Sequence, residues 1–201
     1  MNPILTKILL ERYPEIFVNY GGDMTKTCMA WGFEIGNGWF DIMDKCCANI
    51  QNNYENAKRQ YEYRLKEYNK SDEEIAEQVE KFGEHMKRPE KPPEEPTQLV
   101  AEQVKEKYGT LRFYSYGGCD KDDGAIDMAE SMSSRICDIC GNPGKVNDGG
   151  WMSCRCERCQ GIIDAHHEPN TMALMFEKIE QEVVERILKM DEKHKEWLKF
   201  E

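Results

Sequence analysis

Apolar residues along this chain recur in two periods, and the change from one to the other marks out the elements. Ile4, Leu5, Ile8 and Leu9 lie at helical spacing, interrupted by Lys7, Glu11 and Arg12. Over 27–35, Met29, Trp31, Phe33 and Ile35 alternate with Ala30, Gly32 and Glu34. That period of two predicts a half-buried strand. Gly36-Asn37-Gly38 supplies a turn. No third glycine of a dinucleotide fingerprint and no Gly-Lys-Ser/Thr follows it, so it reads as a structural turn needing positive φ. A helix then begins near Trp39, with Ile42, Met43, Cys46, Cys47 and Ile50 facing inward; Trp31 and Trp39 read as core aromatics.

The helical period continues through Tyr54, Ala57, Tyr61, Leu65 and Tyr68, a narrow apolar stripe. Ser71 and Glu74 have the spacing of a capping box, and a second stripe follows through Ile75, Val79, Phe82 and Met86. These stretches predict a protruding helical hairpin with a thin seam. Four prolines within 88–96 then enforce an extended connector. The tyrosine stripe exceeds what two isolated helices need, which makes a homodimer an expectation.

The segment 97–118 carries a β-hairpin signal. With Gly109-Thr110 as a two-residue loop, Lys107 pairs with Arg112. Val104, Tyr108, Leu111 and Phe113 then share an apolar face that Glu106 interrupts. Lys105, Lys107, Arg112 and Tyr114 share the other. Residues 122–136 read as a short helix with Ile126, Ala129, Met132 and Ile136 on one side. A strong amphipathic helix with Phe176, Ile179, Val183, Ile187 and Met190 in register closes the chain.

Between those two helices stand five of the nine cysteines, within residues 137–159. Cys137-x-x-Cys140 and Cys156-x-x-Cys159 are separated by 15 residues, a spacing of four-cysteine zinc sites. A C-x-x-C turn aims two thiolates at one tetrahedral position, and two such turns close it. Gly141 and Gly161 stand at or near the places where a knuckle wants a small residue. Four protein ligands leave no open coordination position, so the zinc is expected to be structural. A redox reading needs only one such pair. Cys154 is an alternative ligand to Cys156, against which the C-x-x-C symmetry argues; His166 and His167 read as loop residues. Cys28, Cys46, Cys47 and Cys119 lack ligand spacing and read as small buried apolar groups.

Composition narrows the class. The 201 residues are 39% hydrophobic and 32% charged, enough for one good core, or a core plus a small appended module. No apolar run approaches the ~18 residues of a membrane span, and no secretory signal opens the chain. The expected setting is cytoplasmic and reducing, where clustered cysteines favour metal over disulfides. The net charge of −11 counts against a dedicated duplex-DNA binder. Segments 97–118 and 135–160 are exceptions, each with one more basic than acidic side chain. Cations interleaved with an aromatic suit a phosphate-bearing ligand. Lys105, Lys107, Arg112 and Tyr114 are therefore the candidate ligand-binding residues, with Trp39 near them if the first strand lies beside the hairpin. No catalytic constellation is legible.

"WGFEIGNGWFDIMDKCC", "VKEKYGTLRFY" and "CDICGNPGKVNDGGWMSCRCERC" together resemble a family of small proteins common in tailed bacteriophages and prophages. The resemblance covers about residues 13–50 and 98–160. The second cysteine pair of that pattern often ends in histidine, where this chain has Cys159, and position 37 is often aspartate where it has Asn37. The insertion 51–96 and the closing helix lie outside the shared pattern. The resemblance implies a viral setting rather than a mechanism.

The expected architecture is α+β: a small antiparallel sheet with flanking helices from 1–50 and 97–135, the insertion 51–96, a zinc-ribbon-like module at 136–160 and a helix over 161–201. The expected function is that of a phage-encoded accessory protein. It would bind and neutralise a host component, a host protein or a phosphate-bearing small molecule such as a nucleotide signal of antiviral defence, without catalysis. Two rivals stand beside it. A nucleic-acid-binding zinc protein of phage replication or transcription is favoured by the zinc module and opposed by the acidic charge. An enzyme acting on nucleotides or nucleic acid needs a site the sequence does not display.

Overall fold

The computed structural model describes residues 1–147, 149–165 and 169–197. Its architecture is α+β, with a three-stranded sheet, a separate two-stranded sheet and flanking helices.

Helix α1, Pro3–Arg12, starts where Asn2 accepts from the Ile4 amide and Pro3 takes the first turn. Only Leu5 and Leu9 of its stripe are fully buried. The alternating stretch that follows is mostly not a strand. Thr27 caps a 3₁₀ turn over Cys28–Trp31 by accepting from the Met29 amide. Gly32, at φ +77, then reverses the chain, leaving strand β1 only Phe33–Glu34. Met29, Phe33 and Ile35 are buried as their period predicts, but Trp31 is 58% exposed because the turn points it outward. Local capping chemistry overrode the alternation.

Helix α2, Phe40–Tyr68, has two environments. Phe40, Ile42, Met43, Cys46, Cys47 and Ile50 are buried in the core, and no residue beyond Ile50 is. Helix α3, Asp72–Phe82, carries the expected capping box, with Ser71 accepting from the Glu74 amide and Glu74 from that of Ser71. It too buries no residue. The proline connector returns beside α2, where Pro93 and Pro96 line a cavity with Ala57, Tyr61 and Arg64. Tyr54, Tyr61 and Tyr68 are half-buried within the single chain.

Strands β2, Val100–Lys107, and β3, Thr110–Tyr116, form the antiparallel hairpin, while β1 joins the other edge of β2 in parallel. The turn falls one residue earlier than expected, at Tyr108-Gly109, with φ of 55° and 75°. Two successive positive φ values are what a type I′ turn requires, and glycine takes the second at no steric cost. Glu106 anchors the turn by accepting from the Gly109 amide at 2.5 Å. That gives the carboxylate on the apolar side its partner. Lys107 now pairs with Thr110, Lys105 with Arg112 and Val104 with Phe113. The register differs from expectation by two residues, an even step, so both face assignments survive. Tyr108 alone changes place, from the apolar face to the turn.

Helix α4, Asp120–Ser133, closes the free edge of β3. Glu130 accepts from the Phe113 amide (2.9 Å) and the Ser133 hydroxyl from that of Leu111 (2.8 Å). An edge that would expose its donors is thereby satisfied by side chains. Asp122, almost fully buried, accepts from Asn53 of α2 and from the Cys119 amide. Ile126 and Ala129 face inward; Met132, expected there, is exposed, and so is Cys119. Among the described residues no helix is long and apolar enough to cross a membrane.

Candidate metal centre

Cys137 and Cys140 sit on a loop that its own backbone bonds hold shut. The Cys137 amide donates to Asn142 O (2.8 Å) and the Gly141 amide to Cys137 O (3.0 Å), with Gly141 at φ +79. The other pair is not a second loop. After the short hairpin of β4, Lys145–Val146, and β5, Cys154–Arg155, Cys156 immediately precedes helix α5, Glu157–Ala165, and Cys159 lies in its first turn. The Cys159 amide points at Cys156 Sγ (3.5 Å), and thiolates at a helix N-terminus gain from its positive end. Gly161 lies inside α5 with open space around it, so it is no knuckle glycine; Gly141 is.

The four sulfurs lie within 4.8 Å of one another, and Cys140 Sγ is 3.6 Å from Cys156 Sγ. A tetrahedral thiolate site with metal–sulfur bonds of about 2.3 Å separates its sulfurs by about 3.8 Å. The cluster fits a metal ion, with four protein ligands and all four residues buried. Cys154 is buried in β5 outside the cluster, and its backbone oxygen accepts from the Asp138 amide (2.9 Å). His166 and His167 lie outside the described residues. Burial pushes Cys154 up to about 11 and Cys46 up to about 12, so these are inert thiols.

Cys137, Cys140 and Cys159 divide charge unevenly among themselves. Hydrogen bonds from Cys140 and Cys159 hold Cys137 far below the ordinary thiol range. The bond to Cys137 pushes Cys140 up to about 11, and bonds to Cys137 and Cys140 push Cys159 higher still. Thiols with raised pKa keep their protons at neutral pH, and a metal must expel them to bind. Falling pH therefore favours the protonated thiols over the metal. A titration from about pH 7 to about pH 5 against a chromophoric chelator should show metal release with proton uptake. A pH-independent metal content would contradict this cluster as the site.

The centre is also where distant segments meet. The Gly38 amide donates to Asp138 O (2.9 Å), and the Trp39 indole to Ile136 O (2.8 Å). A Cβ on Gly36 would lie 1.9 Å from Asp138 O, and one on Gly38 would lie 2.1 Å from Cys137 O. Gly36 has φ −73, so close approach, and not the left-handed backbone expected of this turn, is what demands glycine. Helix α6, Pro169–Trp197, covers the other side with Ile179, Val183, Val184 and Ile187. Met190 is exposed. Arg158 of α5 grips Glu182 with two bonds of 2.8 and 2.9 Å, and Arg186 reaches Asp41 of α2 at 2.7 Å. A metal here would tie the knuckle to α5, and the hydrogen bonds from Gly38 and Trp39 join the loop of residues 36–39 to that unit.

The candidate ligand-binding residues are placed unequally. Lys105, Lys107, Arg112 and Tyr114 do share the outer face of the hairpin. Lys105 Nζ stands 5.5 Å from the centre of the Tyr114 ring, and Lys107 Nζ 5.4 Å from that of Tyr108. Arg112 is less available, because it pairs with Glu130 (3.3 Å) and donates to Leu111 O. Trp39 does not belong with them. It is fully buried beneath the knuckle, which corrects its placement on this face. Sequence reasoning passed over Gly36 and Gly38 as a docking surface, although a pair of small residues before a buried tryptophan was a signal for one. It also passed over the exposed aromatics Tyr108 and Trp151. Comparisons with known proteins found no matching family model, no matching curated protein and no matching solved structure.

Proposed function

We propose that this chain is a zinc-stabilised, phage-encoded accessory protein. It binds and neutralises a phosphate-bearing host component on the outer face of the β2–β3 hairpin without transforming it. Four thiolates in tetrahedral array are a donor set suited to zinc, and a closed shell suits a structural ion. The observation that carries the binding assignment is the row of Lys105 beside Tyr114, Lys107 beside Tyr108 and Arg112 opposite Lys105 on one face of the hairpin, in a chain of net charge −11. An approaching anion meets mobile cations there, and an exposed ring can stack on a base. The phage setting rests on the three sequence blocks, two of which meet at the metal centre.

Native mass spectrometry of protein purified from host extract tests this reading. Wild type should carry one zinc and an unaltered phosphate-bearing species. The double variant Lys105→Ala/Lys107→Ala should lose that species while keeping its zinc and its melting temperature within a few degrees, since neither lysine is buried. Recovery of a chemically altered product would favour an enzyme, and unchanged retention by the double variant would move the site elsewhere.

A further inference from the structure

The turn of the β2–β3 hairpin meets a second hairpin. A Cβ on Gly109 would lie 2.8 Å from Val146 Cγ1 and 3.2 Å from the Ser153 backbone, so the β2–β3 turn abuts the β4–β5 hairpin. Asn147 and Ser153 close the loop of that second hairpin, bonding backbone to backbone (3.0 Å) and side chain to amide (2.9 Å). Two hairpin tips therefore stand side by side. Each carries an exposed aromatic: Tyr108, 66% exposed, on the first and Trp151, 83% exposed, on the second. From Gln103, opposite Tyr114, to Tyr108 the strand runs five residues, or about 16 Å at about 3.3 Å each.

We infer that Tyr114, Tyr108 and Trp151, with Lys105, Lys107 and Arg112 between and beside them, form one strip that binds single-stranded nucleic acid. The inference rests on the proposal that the hairpin face binds a phosphate-bearing ligand, and it names the class of that ligand. Among the described residues Lys105 and Lys107 face tyrosine rings and pair with no carboxylate. Each is thus a phosphate contact beside a stacking surface. The strip is built from the two segments, 97–118 and 135–160, that carry an excess of basic over acidic residues. A duplex hides its base faces and is held chiefly through a broad basic surface, which an acidic protein lacks. A single strand offers its bases for stacking and needs few cations. The length suits a few nucleotides, near the lower end of the roughly 4–16 held by single-strand binding surfaces.

Fluorescence anisotropy with metal-loaded protein tests this, using a fluorescein-labelled oligothymidylate of roughly 20 nucleotides and a duplex of equal length. Lys105 and Lys107 neutralising two phosphates set a salt slope of about −1.4, so affinity should fall roughly sevenfold between about 50 and about 200 mM salt. Trp151→Ala should weaken the single strand at least about fivefold. Lys105→Ala/Lys107→Ala should weaken it further and flatten the salt slope. The duplex should bind worse than the strand. If Trp151→Ala leaves the affinity unchanged, the strip does not reach the second hairpin and the inference falls, while a loss in the lysine variant keeps the hairpin face. Equal or tighter duplex binding overturns the stacking argument. If the oligothymidylate does not bind, yet host extract supplies a small ligand or a polypeptide that the lysine variant loses, the inference fails and the binding face stands. If the lysine variant loses nothing in either assay, both fail.

Discussion

Cys140→Ser is expected to reduce bound metal from one equivalent per chain to a small fraction and to unfold the segment around 136–165 locally. A serine hydroxyl does not ionise in the accessible range, so three thiolates remain and the tetrahedral shell stays open. The module has little else to hold it. Its strands are two residues each, and among the described residues five of its seven buried side chains are cysteines, four of them in the cluster. Apparent metal contributions of about 10–16 kcal/mol in comparable modules exceed what so small a core supplies. Leu5, Leu9, Phe40, Met43, Ile50, Leu99, Val104 and Leu111 lie outside the module and keep their burial. Hydrogen exchange should therefore separate the two regions. Amides of 136–165 should lose protection, with those of α6 over Ile179–Ile187 weakened, while β2, β3 and the first half of α2 stay protected. A variant that retains full metal and full protection would remove this cluster as the site.

Gly38→Ala should be nearly as damaging, although it removes no ligand. The added Cβ would lie 2.1 Å from Cys137 O, 2.4 Å from the Gly141 nitrogen and 2.8 Å from that of Cys140. All three are backbone atoms of the knuckle and cannot rotate aside, so the loop must lift off the metal module. The hydrogen bonds from Gly38 to Asp138 and from Trp39 to Ile136 would be lost, and the fully buried indole would lose its cover. A cost of at least about 3 kcal/mol is expected. For a chain of this size that lowers the melting temperature by about 6–12 °C. Gly124→Ala supplies the opposite control. Gly124 lies within α4 with open space around its Cα, so alanine there should stabilise by about 0.5–1 kcal/mol. Calorimetry on the two variants decides it: equal melting temperatures would show that the first loop and the knuckle do not depend on close approach.

The four-cysteine cluster was legible because the spacing that gathers such side chains is local. Two C-x-x-C pairs declare themselves within 23 residues whatever the rest of the chain does. Helices α2 and α6, the capping box at Ser71 and the two faces of the β2–β3 hairpin were legible for a similar reason, since periodicity and capping act over one or two turns. The stretch 27–35 misled because alternation is shared by strands and by irregular chain that buries every second residue. Only Thr27 and Gly32 distinguished them. The hairpin register was off by one turn position, because Tyr108 gave no local sign of tolerating a positive φ.

The sequence by itself determined which cysteines cluster as a possible metal site, which helices form and which side chains share a face of the hairpin. Each of these depends on neighbours a few positions away, within reach of the chain's own stereochemistry. Only the tertiary structure decided that Trp39 is buried under the knuckle and that Gly36 and Gly38 are its seat. It also decided that Arg112 is held by Glu130 and that the two hairpin tips stand side by side. Those arrangements join residues from about 18 to about 100 positions apart. No periodic pattern reaches that far, because such contacts are set by how the whole core closes rather than by the conformation of any one segment.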